Sequence, residues 1–291
     1  MKNHIFIVPA FVLTLLAPAV SARATAFEDL LQDSSGSEYT TALPVAVKNS
    51  APLVGSGAGL DVMAGIDGDI IVLSKRQTPK GLKILPDDDV REDPPQYDEF
   101  LPLPDPSKVS DGVMAAKNID PQNLIPADLR AVAQEYYLAN RDSIANLRYV
   151  GVVDFAKHSS LARFYIADTA DGTVRVYNVA HGSGSDPEND GYPTIFSNKE
   201  RSLASSLGFY LTGDIYHGKH GRSMRLHGLS STNSNAFKRA VVIHSAKYVV
   251  DEYVQAGRSW GCLAVSLASI DAVISTLKGG ALIYAGLSGA K

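Results

Sequence analysis

Six prolines and a net charge of −7 crowd the stretch from Pro86 to Pro106 (PDDDVREDPPQYDEFLPLPDP) of this 291-residue chain. Proline has no backbone N–H to give to a ladder, and like charges repel, so the stretch reads as an extended, solvated linker that cannot enter a core. Upstream, Ser34 to Gly68 is rich in Ser, Gly, Thr and Ala and shows little periodicity, and only Asp69 to Ser74 (DIIVLS) suggests a short strand. Residues 27–123 are therefore expected to be an acidic, largely disordered linker, and residues 124–291 the folded domain. Charge divides the chain at the same place. Residues 27–123 hold 8 basic and 17 acidic residues, whereas 124–291 hold 17 basic and 14 acidic. With 27 Lys and Arg against 31 Asp and Glu in total, there is no basic excess to neutralise phosphates, which argues against a nucleic-acid partner. No internal repeat is present.

The N-terminus suggests the compartment. Lys2 and His4 precede an apolar run from Ile5 to Val20, and small residues then offer cleavage after Ala22 or Ala26. Residues 1–26 thus read as a secretory signal peptide. As a membrane anchor the run is too short, and Pro9 and Pro18 interrupt it. A periplasmic or secreted protein, with no membrane span after signal removal, is expected.

Order begins near Leu124. Pro126, then Leu129, Val132, Ala133, Tyr136 and Tyr137 at three-and-four spacing, predict an amphipathic helix to about Ala145. The period then changes to that of strands: Arg148–Asp154, Ala162–Asp168, Thr173–Ala180, Gly208–Thr212, Ser223–His227, Ala240–His244 and Ala281–Ala285 are short β-branched and aromatic runs, with a turn at Asp171-Gly172. A second helix is expected from Leu267, Ile270, Ile274 and Leu277, with Gly279 and Gly280 as its stop signal. The fold class is mostly β with a few helices (α+β).

One cysteine, Cys262, excludes an intrachain disulfide framework and a Cys₄ zinc site. In an oxidising compartment a lone thiol is a hazard unless buried or used. Eighteen positions upstream, His244 closes the apolar run Val241-Val242-Ile243. A strand ending in His and a Gly261-Cys262 turn leading toward a helix would bring imidazole and thiol together, with the helix dipole near the sulfur. An adjacent imidazole takes the thiol's proton or stabilises the thiolate. Gly261 permits a sharp turn and close approach of a carbonyl to backbone amides.

Ile243-His244-Ser245-Ala246 followed by Ser259-Trp260-Gly261-Cys262 resembles the active-site signature of the L,D-transpeptidase catalytic domain (the YkuD-like fold), more closely its murein L,D-transpeptidase subfamily. Similar blocks are Val179–Ser185 (VAHGSGS), Phe196-Ser197-Asn198, Ser205–Gly213 (SSLGFYLTG), Arg225–Leu229 (RLHGL) and Asn233–Ala236. The resemblance implies mixed β-sheets with flanking helices and no cofactor. It also implies peptidoglycan stem peptides as donor and acceptor. It makes Cys262 the nucleophile and His244 the base, with Ser259 and Gly261 shaping the loop and the amides of Gly261 and Cys262 receiving an oxyanion. Tyr210 falls on the cleft-lining strand and is carried over as a substrate or oxyanion contact; Ser245 and Trp260 are grouped with the substrate-binding residues. Two positions depart from the pattern: Trp260 stands where His is common, and Ala264 stands where Arg or Asn usually follows the cysteine by two. Arg258 or Arg225 is then the residue available to hold a stem-peptide carboxylate.

Three readings remain open at this stage: transpeptidation giving 3-3 crosslinks or exchange, L,D-carboxypeptidase action with water as acceptor, and a non-catalytic wall-binding module. A fourth constellation, His217, His220 and His227, has the residue type of a catalytic zinc site but no Asp or Glu beside it. His158 and His181 are expected to make loop or strand-end hydrogen bonds.

Overall fold

A computed structural model of the chain describes residues 60–65, 68–74, 76–87 and 118–290. The expected signal peptide, and the proline-rich stretch after Asp87, lie outside the described residues. In chain order the elements are β1 (Val62–Ala64), β2 (Ile70–Val72), α1 (Ala127–Ala139), β3 (Asn146–Asp154), β4 (Phe164–Asp168), β5 (Val174–Tyr177), β6 (Ile195–Phe196), β7 (Gly208–Gly218), β8 (Gly221–Gly228), β9 (Val242–Ser245), β10 (Leu263–Val265), α2 (Ile270–Leu277) and β11 (Ala281–Gly286). The main sheet has eight strands in the order β10-β9-β8-β7-β11-β3-β4-β5, and β1-β2-β6 form a second, three-stranded sheet. Pairing is antiparallel except for β10 on β9 and β11 on β3. The mostly β class expected from the sequence, and its two helices, are both present.

Alternation along the strands builds a core on each face of the main sheet. Val150 and Val152 of β3 and Leu282 of β11 pack with Leu129, Ala133 and Tyr137 of α1. Their neighbours Val153 and Ile283 join Ile270, Val273, Ile274 and Leu277 of α2. Each such aliphatic chain contributes about 1.5–3 kcal/mol on burial, and all of these are buried. The helix end of α2 is tied down as well: buried Thr212 donates its hydroxyl to Leu277 O (2.6 Å) and accepts the Ala281 amide (2.8 Å). Gly279 and Gly280, at φ +80° and +83°, end the helix as expected.

Several boundaries differ from the sequence expectation. α1 stops at Ala139, and a 3₁₀ turn over Arg141–Ser143 leads into β3. α2 starts at Ile270 because the hydroxyls of Ser266 and Ser269 both donate to Asp251 Oδ2 (2.6 and 3.0 Å), holding the preceding turn outside the helix. β5 ends at Tyr177, where the Asn178 amide turns to the carbonyls of Val250 and Glu252 (2.8 and 3.2 Å).

Part of the stretch read as linker packs on the domain. β2 pairs with β6, matching Ile70 with Phe196, and Leu60 and Val72 are buried in the larger core. Residues 83–87 then run beside the loop that precedes Cys262: Leu85 N–H donates to Gln255 O (3.0 Å) and Gln255 N–H to Lys83 O (2.8 Å). The apolar residues of this segment are too few and too scattered to show as periodic strands, and they are ordered by partners far along the chain. No helix among the described residues is long and apolar enough to cross a membrane.

Candidate active site

Strand β9, Val242–Ser245, is a buried β-branched run that delivers His244 at its end. β10 lies parallel to it with Ala264 opposite His244, so Cys262, two residues earlier, sits level with Val242. Cys262 is half-buried. Its thiol points toward Ala240 O at 3.6 Å, where Ala240 adopts φ +54°. His244 is buried, with Nδ1 2.9 Å from Ser245 O. A carbonyl only accepts, so in the neutral ring Nδ1 carries the proton and Nε2 is the basic nitrogen. Burial pushes the Cys262 thiol up from its ordinary value, while the Val242 amide and the Arg239 guanidinium pull the other way.

Ser259 organises the turn. Its hydroxyl donates to Cys262 O (2.8 Å) and accepts the Gly261 amide (3.1 Å), while its backbone is paired to His181 O (2.8 Å) and the Ser183 amide (2.7 Å). The Gly261 amide, expected to receive an oxyanion, is thus already engaged by Ser259; of the two amides expected in that role, Cys262's is the one to consider. Gly261 is required: at φ +114° a Cβ would stand 2.6 Å from Ala204 O. The expected helix dipole is also absent from the thiol. β10 intervenes, and its extended residues carry the start of α2 away from Cys262.

Beneath the turn lies a fully buried polar group. His181 Nε2 meets Asp186 Oδ2 at 3.2 Å, and Arg163 Nη2 donates to His181 Nδ1 at 2.8 Å. Burial, reinforced by Arg163, lowers His181 to about 4, so the ring is neutral, with its Nε2–H on Asp186. Burial likewise lowers Arg163 to about 9. His158 bonds Ser160 Oγ (2.8 Å) and Asp190 O (2.9 Å), a loop role like that expected for it.

The remaining sequence candidates are distributed unequally. Tyr210 is 1% exposed and its hydroxyl donates to Ser206 O (2.7 Å). Burial pushes that phenol up, keeping it protonated. Arg258 holds the Asp87 carboxylate through Nε (3.1 and 3.2 Å) and Nη2 (2.7 Å), and its Nη1 donates to Asp186 O. Its fork is thus taken by this chain's own carboxylate. Arg225 of β8 lies opposite Val242 of β9, two strands from β10, the strand that Cys262 leads into, with its guanidinium over the rings of Tyr216 (4.7 Å) and Phe237 (5.6 Å). Trp260 is half-buried with the Lys219 ammonium 5.7 Å from its ring centre. Ser245 Oγ donates to His220 O (3.2 Å). Ala264 is fully buried among Ala180, Ala246, Tyr248, Val249 and Ala256, which leaves no room there for the longer polar residue of the broader pattern.

Two residues at the site were not singled out for it by the sequence. His220, at the tip of the β7–β8 hairpin, packs its ring against His244, tilted by 32° with ring centres 4.3 Å apart. A second imidazole thus lies beside His244, supplied by another element. Its signal was Gly218-Lys219-His220-Gly221, a hairpin turn with Gly221 at φ +73°. The histidines of the zinc constellation go separate ways, since His227 stacks on Phe237 (4.9 Å), and among the described residues no three His, Cys, Asp or Glu side chains converge. The second missed residue is Arg239, which packs under Gly261.

No curated protein matches the chain. Similar solved structures include an L,D-transpeptidase from Xylanimonas cellulosilytica (16% identity over 47% of this chain and 60% of that one, TM-score 0.30). An L,D-transpeptidase from Mycobacterium smegmatis is 15% identical (48% and 58%, TM-score 0.30). The helical cell shape determining protein Pgp2 from Campylobacter jejuni is 12% identical (48% and 48%, TM-score 0.31). The chain thus spans about three-fifths of the first two and less of the third. A family model, the L,D-transpeptidase catalytic domain, matches residues 122–285. That span is more than half of the chain and contains both His244 and Cys262, and the protein belongs to the L,D-transpeptidase catalytic domain family.

Proposed function

We propose that this protein is an exported, peptidoglycan-modifying cysteine L,D-transpeptidase. The observation that supports the reading most is that β9, which ends on His244, runs parallel to β10, which Cys262 immediately precedes, with the His244 proton parked on Ser245 O so that Nε2 is the basic nitrogen. His244 Nε2 takes the thiol proton. The Cys262 thiolate attacks the carbonyl carbon of the third residue of a tetrapeptide stem, the C–N bond to the terminal D-alanine breaks, and His244 returns the proton to the departing amine. A thioester remains. An amine of a second stem attacks it and gives up a proton to His244, the C–S bond breaks, the departing Cys262 thiolate takes that proton back, and the new amide is a 3-3 crosslink; a free amino acid or water as acceptor gives exchange or carboxypeptidase action. The Cys262 amide faces the developing oxyanion, and Arg225, on the same side of β8 and β9, is the candidate for a stem carboxylate.

A carbapenem supplies the test that separates this reading from a wall-binding module of the same fold. The expected result is a stoichiometric covalent adduct that peptide mapping places on Cys262 and that is lost in Cys262→Ala. An unmodified wild-type protein, or an adduct elsewhere, overturns it.

A further inference from the structure

The segment from Arg239 to Val242 wraps the sulfur of Cys262. Ala240 offers its carbonyl at 3.6 Å, and the Val242 amide faces the sulfur from the start of β9. The Arg239 side chain passes beneath. Its guanidinium is anchored by Ser197 O (2.7 Å) and Ser206 Oγ (3.4 Å) through Nη1, and by Ala204 O (2.5 Å) and Ser202 Oγ (3.2 Å) through Nη2. All four acceptors are neutral. Dipoles hold the group in place, but no carboxylate among these partners cancels its charge. Gly261 completes the contact: a Cβ there would lie 3.1 Å from Arg239 Nη2, so the absence of a side chain lets the cation close on the Gly261-Cys262 turn.

We propose that Arg239 is the fixed counter-charge of the Cys262 thiolate, a positioning residue that lowers the cost of ionising a half-buried sulfur. The proposal rests on Cys262 being the nucleophile. A thiolate is the reactive form, and removing it from water disfavours it unless a positive group is near. His244 supplies such a group only after it has taken a proton; Arg239 is charged throughout the cycle. Burial draws Arg239 down from its ordinary value, and the neighbouring groups that oppose this are, in order, Tyr210, Cys262, Asp69 and Glu200. Tyr210 stays protonated, donating to Ser206 O with Ser206 Oγ also 2.8 Å away, so its phenol serves to fix the same network. A guanidinium suits the place because its planar fork reaches two carbonyls and two hydroxyls at once.

Iodoacetamide alkylation of Cys262 across pH, followed by intact mass in the full chain, tests the coupling without requiring turnover. In Arg239→Met the inflection moves up by about one pH unit and the rate at neutral pH falls about tenfold, while Arg239→Lys recovers part of the loss. A folded Arg239→Met protein with the wild-type profile overturns the proposal. Should Arg239→Met fail to fold, nitrogen NMR of the wild-type guanidinium decides. The Arg239 Nε resonance then shifts with the same inflection as alkylation and stays still in Cys262→Ser; no shift through the thiol titration overturns the proposal. A positive result here with no D-alanine release from stems contradicts the nucleophile assignment alone, so the two failures are distinguishable.

Discussion

A half-buried thiol that is to act as a nucleophile faces opposing demands, because the burial that excludes water also disfavours the thiolate. The Ser245 carbonyl addresses this by fixing which nitrogen of His244 is basic. Replacing His244 with Asn keeps a hydrogen-bonding side chain but removes the base, and acylation by a carbapenem is expected to slow about 10²–10⁴-fold at unchanged melting temperature. Stopped-flow fluorescence of Trp260 can follow that rate. His181 makes a second prediction, about stability. Its folded-state value near 4 lies below the ordinary 6.5, so its contribution is complete above pH 6.5 and is lost as pH falls toward 4. At about 1.4 kcal/mol per unit of displacement, the loss reaches a few kcal/mol. Melting curves from pH 7.5 to 4 are expected to show this decline, and His181→Gln is expected to start less stable and decline less. Cys262 and His244 stand out in the sequence by residue type and spacing, and the fold puts the segments that carry them side by side. Its position on a strand does not reveal that the Tyr210 hydroxyl donates to Ser206 O.

Elements explain what individual residues could not. The β7–β8 hairpin is longer than its sequence pattern suggested, since exposed positions such as Asp214 and His217 interrupt the apolar alternation. That extra length carries His220 onto His244 and Lys219 toward Trp260. Truncation in His220→Ala frees one face of the His244 ring and is expected to lower acylation about tenfold with little change in thermal stability, an order of magnitude typical of a lost orienting contact; the same rate assay checks it. The strap formed by residues 83–87 has a parallel role for the loop before the cysteine. Its strongest tie is the Asp87 carboxylate on Arg258, which also accepts the Arg258 backbone amide at 2.7 Å. Asp87→Asn is expected to raise hydrogen exchange at 83–87 and 255–259 together, leaving β3 and β11 protected. Neither strap nor β10 announces itself in sequence, because three-residue strands are shorter than any periodic window.

Across the whole molecule, the mostly β fold class was readable because short β-branched runs and two helical stripes leave few ways to bury both faces of a sheet, whereas the family was readable from its motifs, Ile243–Ala246 and Ser259–Cys262. What escaped was the assembly of the site from distant segments, since Asp87, Arg239, His220 and His181 meet Cys262 and its loop only through the sheet order. The chain's net charge of −4 likewise sums an acidic segment and a mildly basic domain and describes neither. The proposed reaction requires that all these parts serve one thioester. Incubating the full chain with purified disaccharide tetrapeptide and reading products by mass spectrometry tests this most directly. The expected result is release of D-alanine with formation of 3-3 crosslinked dimers, abolished in Cys262→Ala; intact tetrapeptide with wild-type protein, or full turnover by Cys262→Ala, would contradict it.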